Sequence, residues 1–148
     1  MFNFFFFSVA NCLNCLNAKI LALKRDISIP TPECIDKFYS LNDLPEMISQ
    51  CDYLINVLPS TKDTKDLLGG DVLYNCFNRK TIFINIGRGT IITEESLLKA
   101  LDNKWIGGAI LDVFQKEPLP LSSRLWNYPG VSKLALNFIL LITRKNMN

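Results

Sequence analysis

The chain has 148 residues, 49% of them hydrophobic and 20% charged, which suits one globular domain with a sizeable core and excludes a disordered composition. Its 16 basic and 14 acidic residues are interspersed to a formal charge of +2, so no basic face or run points to nucleic acid. There is no histidine, and the five cysteines (Cys12, Cys15, Cys34, Cys51, Cys76) have neither disulfide-framework nor zinc-site spacing, so reduced thiols and no metal are expected.

Phe2 to Phe7 lacks the positive flank and cleavage site of a signal peptide, and the apolar stretch Leu134 to Ile142 is far shorter than the roughly 20 residues that span a bilayer. No membrane segment is therefore expected. Val9, Ala10, Leu13 and Leu16 recur at helical spacing, and Asn17 follows as a left-handed C-cap. Lys19 to Leu23 reads as a short strand ending in Lys24-Arg25. Leu41 to Gln50 predicts a short helix capped by Asn42, with Pro45 in its first turn.

Tyr53 to Leu58 is a nearly continuous apolar run stopped by Pro59, the pattern of a strand buried on both faces. Thr64 to Phe77 predicts a helix, and Thr81 to Ile86 a second buried strand closed by Gly87-Arg88-Gly89. Thr93, with Ser96 three residues on, caps a helix whose first turn carries Glu94 and Glu95 and whose apolar stripe is Leu97, Leu98 and Leu101. Ala109 to Val113 is a further buried run, followed by a loop marked by Pro118 and Pro120. Buried runs alternating with amphipathic helices predict an α/β domain with a parallel sheet covered on both faces. Ligands in such sheets bind at the carboxyl ends of the strands. The groups placed there are Lys24-Arg25, Pro59 to Thr61, Gly87 to Gly89 and Asp112.

Two strings carry chemistry. In Ile84-Asn-Ile-Gly-Arg-Gly89, glycines bracket an arginine where the chain leaves a buried strand. That arrangement is either a tight turn with an incidental surface arginine or a fork presented to a carboxylate. The second string is Gly108-Ala-Ile-Leu-Asp-Val-Phe-Gln-Lys-Glu-Pro-Leu-Pro120, followed by Leu125-Trp126 and Pro129. Together they resemble the paired signatures of the D-isomer-specific 2-hydroxyacid dehydrogenases, which include the glyoxylate and hydroxypyruvate reductases. Tyr53 to Thr64 resembles a third conserved block, and the likeness runs from about Val9 to Val131, leaving 1–8 and 132–148 as ends unlike the family.

The resemblance implies a Rossmann-like, doubly wound parallel sheet and hydride transfer between NAD(P)H and a small 2-oxo or 2-hydroxy acid. By position, Arg88 is the arginine that grips the substrate carboxylate, and Glu117 is the glutamate that orients a catalytic histidine and raises its pKa. Asp112 stands near the nicotinamide carboxamide, and Pro59, Thr64, Ile86 and Gly87 line the cofactor cleft. Lys24 and Arg25 replace the acidic residue usual for NAD and resemble a 2′-phosphate site, so the cofactor is NADP or NAD. A cytoplasmic, homodimeric parent enzyme is implied.

The chain also departs from the family. Aligning Ala18-Lys19-Ile20 with the family's second strand places the last glycine of its G-x-G-x-x-G turn at Phe6, so the first strand and the amide cradle for the diphosphate are expected to be missing. Ser132 to Asn137 stands where the threonine-proline-histidine segment is expected, and no substrate domain is encoded. The sheet is therefore expected to be incomplete, with open strand edges, and the chain alone to be inactive. Phenylalanine codons before Ser8 and the codons of Val131-Ser132 fit intron boundaries, so the chain is read as a translated fragment of a longer gene, with a short isoform as rival. The alternative function is a non-catalytic interaction module that pairs with a full-length paralogue.

Overall fold

A computed structural model describes residues 4–24 and 32–133, with side chains from Phe6 onward. The elements follow the order α1 (Phe4–Cys15), β1 (Leu21–Leu23), β2 (Lys37–Tyr39), α2 (Leu44–Ser49), β3 (Tyr53–Asn56), β4 (Ile82–Asn85), α3 (Glu94–Asp102), β5 (Gly108–Leu111) and β6 (Val131–Lys133). Every strand pairing is parallel. The strands divide into a pair, β1-β2, and a four-stranded sheet in the order β3-β4-β5-β6. The four anticipated strands are all present, each shorter than its apolar run. β2 and β6 escape the sequence reading because three residues give too little periodicity to detect.

Helix α1 ends as its sequence dictates. Asn17 takes φ +58° and the Ala18 amide reaches back to the Leu13 carbonyl, closing the helix with a left-handed residue. Ala10 on this helix packs with Ile20, Ala22, Cys34 and Ile35 to form a small core on one side of β1-β2. The larger core contains Tyr39, Met47, Ile48, Leu54, Phe83, Leu97, Ala100 and Leu111, and Leu21 and Leu23 pack against it. Successive β1 residues thus bury against different layers, as a sheet covered on both faces requires. Helix α3 starts as expected, with Thr93 Oγ1 accepting from the Ser96 amide at 3.1 Å.

Two expectations fail. Residues 64–77 do not form an α-helix: only a 3-10 turn, Val72–Cys76, appears there. The amides of Asp66 and Leu68 donate to the Thr90 and Ile91 carbonyls at 2.8 and 3.0 Å, and Asp66 and Gly70 take positive φ. Tertiary backbone bonds therefore replace the helical ladder over Thr64 to Gly70. Asn42 is not a helix cap either. It lies inside a 3-10 turn, Leu41–Asp43, that runs into α2, and Asp43 occupies the N-cap position while accepting from Ser40 Oγ at 2.6 Å.

No helix among the described residues is long and apolar enough to cross a membrane. The stretch Leu134 to Ile142 lies outside them.

Phe83 in β4 is the largest fully buried side chain among the described residues. Phe83→Ala is expected to cost about 3–5 kcal/mol. A urea unfolding midpoint unchanged from the parent chain would contradict this account of the core.

Candidate functional site

The carboxyl ends of β3 and β4 are joined by one buried polar contact. Asn56 and Asn85 are the last residues of β3 and β4, stand opposite each other in register, and are 5% and 1% exposed. Asn56 Nδ2 donates to Asn85 Oδ1 at 2.8 Å. The remaining amide atoms reach the loops that follow. Asn56 Oδ1 accepts from the Leu58 amide at 3.1 Å, Asn85 Oδ1 also accepts from the Gly87 amide at 3.3 Å, and Asn85 Nδ2 donates to the Arg88 carbonyl at 3.3 Å. Both asparagines are thereby satisfied while fixing Leu58, Gly87 and the Arg88 backbone.

The loop after β3 is ordered by its own threonines. Thr64 Oγ1 donates to the Pro59 carbonyl at 2.7 Å and accepts from the Thr61 amide at 2.8 Å. Thr90 Oγ1 donates to Ser60 Oγ at 2.8 Å, tying this loop to the one after β4.

Glycine is required at 87 and 89 for space. A Cβ at Gly87 would lie 2.9 Å from both Asn56 Nδ2 and the Leu58 carbonyl oxygen. One at Gly89 would lie 1.8 Å from the Phe114 carbonyl oxygen. This close approach joins the third loop: Glu117 Oε1 accepts from the Phe114 amide at 2.9 Å, and the Asp112 amide donates to the Asn85 carbonyl at 2.9 Å.

Pro59, Thr64, Ile86, Gly87, Arg88, Asp112 and Glu117 therefore belong to three interlocked loops at one end of the sheet. Arg88 is exposed, with extended backbone, and Nη1 donates to the Gly87 carbonyl at 2.7 Å. Among the described residues its guanidinium pairs with no carboxylate, so its remaining donors are open to an incoming one. Asp112 and Glu117 are also exposed.

Lys24 stands apart at the end of β1. It is half-buried, with Nζ 4.6 Å from the centre of the Phe38 ring. Arg25 lies outside the described residues. A cavity of about 760 Å³ opens between β1 and β3, and none of Lys24, Pro59, Thr64, Ile86, Gly87, Arg88, Asp112 and Glu117 lines it.

These residues fit one part of a dinucleotide better than another. The loops after β3, β4 and β5 offer a walled, polar end suited to a nicotinamide ring. For the diphosphate, the seven glycines of the sequence form no G-x-G-x-x-G, and α1 opens on phenylalanines. The described residues contain no amide cradle of that kind.

The sequence reading gave no role to Asn56, Asn85 and Thr90, and named Ser60 only within Pro59 to Thr61. A signal for the first two existed: each is an asparagine ending an otherwise apolar strand, a place where a buried amide needs a partner.

The family profile of the D-isomer-specific 2-hydroxyacid dehydrogenase NAD-binding domain matches residues 7–134. Among solved structures, the NADPH-dependent glyoxylate/hydroxypyruvate reductase of Sinorhizobium meliloti, in complex with NADP and sulfate, is 31% identical with a TM-score of 0.75, over 85% of this chain and 40% of that one. A D-isomer-specific 2-hydroxyacid dehydrogenase from Xanthobacter autotrophicus is 31% identical with a TM-score of 0.77, over 84% and 40% of the two chains. A probable 2-hydroxyacid dehydrogenase from Rhizobium etli, bound to NADP, HEPES and L(+)-tartaric acid, is 25% identical with a TM-score of 0.77, over 85% and 40%. The chain spans about 40% of the length of these relatives.

Two outcomes test the interlock. Gly89→Ala is expected to destabilise by about 3 kcal/mol or more, because the Cβ meets backbone that cannot rotate away. It is also expected to shift the Phe114 amide resonance. Asn85→Leu, which strands the Asn56 amide and the Gly87 N–H, is expected to cost about 1–3 kcal/mol for each buried group left unpaired. Thermal unfolding of either variant at the parent temperature would show that the loops yield freely.

Proposed function

The chain belongs to the D-isomer-specific 2-hydroxyacid dehydrogenases, over their NAD-binding domain, and from that membership we propose the activity of its parent enzyme and the part these residues take in it. The reaction is hydride transfer between NAD(P)H and a small 2-oxo or 2-hydroxy acid of the glyoxylate or hydroxypyruvate type. The observation that carries the proposal is the Asn56–Asn85 bond, which, with the Asp112 amide on the Asn85 carbonyl, brings the loops bearing Pro59, Gly87-Arg88 and Asp112 to one end of a parallel sheet.

When bound, the cofactor supplies or accepts the hydride. Arg88, held in extended backbone between two space-limited glycines, directs its free donors at the substrate carboxylate and so orients the reacting carbon. Glu117 orients a histidine and favours its protonated form; these 148 residues contain none. Asp112 meets the carboxamide of the nicotinamide, and Pro59, Thr64, Ile86 and Gly87 wall the ring. Lys24 and Arg25 take the ribose 2′-phosphate, which favours NADP over NAD. The parent enzyme works in the cytoplasm as a homodimer on small acids, with no nucleic-acid partner.

The 148-residue chain by itself is proposed to be catalytically silent. It offers no histidine to protonate the forming alkoxide, a contribution typically worth roughly 10²- to 10⁴-fold. It also offers no glycine turn for the diphosphate. A second reading, a non-catalytic module that pairs with a full-length paralogue, draws support from the opening between β1 and β3.

Nicotinamide absorbance of the purified chain with NADPH and saturating glyoxylate or hydroxypyruvate is expected not to change. Turnover abolished by Arg88→Ala would overturn the proposed silence. Replacing the matching segment of the Sinorhizobium reductase with Val9 to Val131 tests the roles themselves. Arg88→Ala in that chimera is expected to lower kcat/KM roughly 30-fold or more, as loss of one partner of a buried charge pair does. A folded, active chimera indifferent to Arg88 would remove the assignment.

A further inference from the structure

The loops after β3 and β4 run beside each other and meet at two places that bracket Pro59 and Arg88. Ahead of both residues, Gly87 approaches Leu58 so closely that a Cβ on it would lie 2.9 Å from the Leu58 carbonyl oxygen. Beyond both residues, Thr90 Oγ1 donates to Ser60 Oγ at 2.8 Å. The first contact is close backbone packing, backed by the buried Asn56, whose Oδ1 accepts from the Leu58 amide at 3.1 Å. The second is a bond between two hydroxyls.

Thr90 is firmly seated. Its carbonyl accepts from the Asp66 amide at 2.8 Å, the Ile91 carbonyl accepts from the Leu68 amide at 3.0 Å, and Gly89 before it abuts the Phe114 carbonyl. Ser60 is exposed, and the hydrogen bonds within its own loop do a different task. Thr64 Oγ1 donates to the Pro59 carbonyl and accepts from the Thr61 amide, which sets the shape of the loop but not its distance from Arg88. Neither Ser60 nor Thr90 is buried, so water would satisfy both hydroxyls if they parted, and their bond adds little to stability. What it supplies is a fixed separation.

We infer that Thr90 is a positioning residue for hydride transfer: through Ser60 it sets the distance between the Pro59 wall and Arg88. The inference rests on the roles proposed above, in which the nicotinamide ring lies against Pro59 and the substrate carboxylate on Arg88. The separation of these two residues then governs how near the ring comes to the 2-oxo carbon. Hydride transfer needs its reacting atoms about 3–3.5 Å apart, and a misplacement of about 1 Å costs on the order of 100-fold in rate. Thr90 touches neither cofactor nor substrate in this scheme, so its loss lowers kcat and leaves both KM values near their parent level. Valine at position 90 keeps the shape of the side chain and removes the donor, whereas serine keeps the donor and loses a methyl group.

The first arm of the test is NMR on the full 148-residue chain. Ser60→Ala is expected to shift the Arg88 and Thr90 amide resonances, and Thr90→Val those of Ser60 and Thr61. Shifts confined to the substituted loop in both variants would overturn the inference, because the hydroxyls would then hold nothing together. The second arm is turnover of glyoxylate by the chimera carrying Val9 to Val131. Thr90→Val is expected to lower kcat roughly 2- to 10-fold, the range one net hydrogen bond spans, with KM for NADPH and for glyoxylate nearly unchanged. Thr90→Ser is expected to restore kcat, and adding Ser60→Ala to Thr90→Val to cost nothing more, since the pair acts as one unit. An unchanged kcat, a loss confined to KM, a serine variant no better than valine, or additive losses would each overturn the role of Thr90. Arg88→Ala separates the two readings. Impairment by Arg88→Ala without impairment by Thr90→Val removes the Thr90 inference alone, whereas indifference to Arg88→Ala removes the roles beneath it.

Discussion

The Asn56–Asn85 hydrogen bond sits where the buried interior of the sheet meets the loops that follow β3 and β4. Parallel strands covered on both faces are apolar along their length, and a polar side chain within them is costly unless every atom is bonded. Here the bond is made between strand partners in register, and the remaining amide atoms reach outward to Leu58, Gly87 and Arg88. A single contact therefore fixes strand register, the start of the loop after β3 and the turn around Arg88. With Gly89 seated against Phe114, the loop after β5 is set by the same origin.

That dependence explains what could be read from the sequence. The strands at Tyr53, Thr81 and Ala109 were legible because burial on both faces writes itself as an uninterrupted apolar run. The cap at Thr93 and the left-handed Asn17 were legible because they are local chemistry. The loops were only partly so: the sequence places Arg88 and Asp112 at strand ends, but nothing in it joins Ser60 to Thr90 or Glu117 to the Phe114 amide. The segment from Thr64 to Phe77 was misread for the same reason. Its apolar spacing suits a helix, yet its amides find better-placed partners in Thr90 and Ile91, which lie more than twenty residues away. Local propensity is a weak prior wherever tertiary backbone bonds compete.

The two halves of the domain are held by different forces. From β3 to β6 the strands are locked by ladder hydrogen bonds, and the turn before β6 is anchored by Arg124, which meets Asp102 at the end of α3 at 3.0 Å. Tyr128 donates to the same carboxylate at 2.8 Å, and the two contacts hold it below the ordinary aspartate range. The β1-β2 pair is attached to that body through side chains: Leu21 and Leu23 against the main core, and Gln50 Nε2 of the residue after α2 donating to the Tyr39 hydroxyl at 3.1 Å.

Side-chain packing is less directional than a backbone ladder, and this difference bears on ligand recognition. Arg88, Asp112 and Glu117 share one rigid frame, so their mutual geometry needs no ligand to set it. Lys24 belongs to the β1-β2 pair, across a cavity of about 760 Å³, which is attached by side-chain packing and the Gln50–Tyr39 hydrogen bond rather than by a backbone ladder. A dinucleotide reaching from Lys24 to the loops after β3 and β4 must span that junction. Binding energy would then be diverted into ordering the two bodies, a cost that a preorganised site avoids.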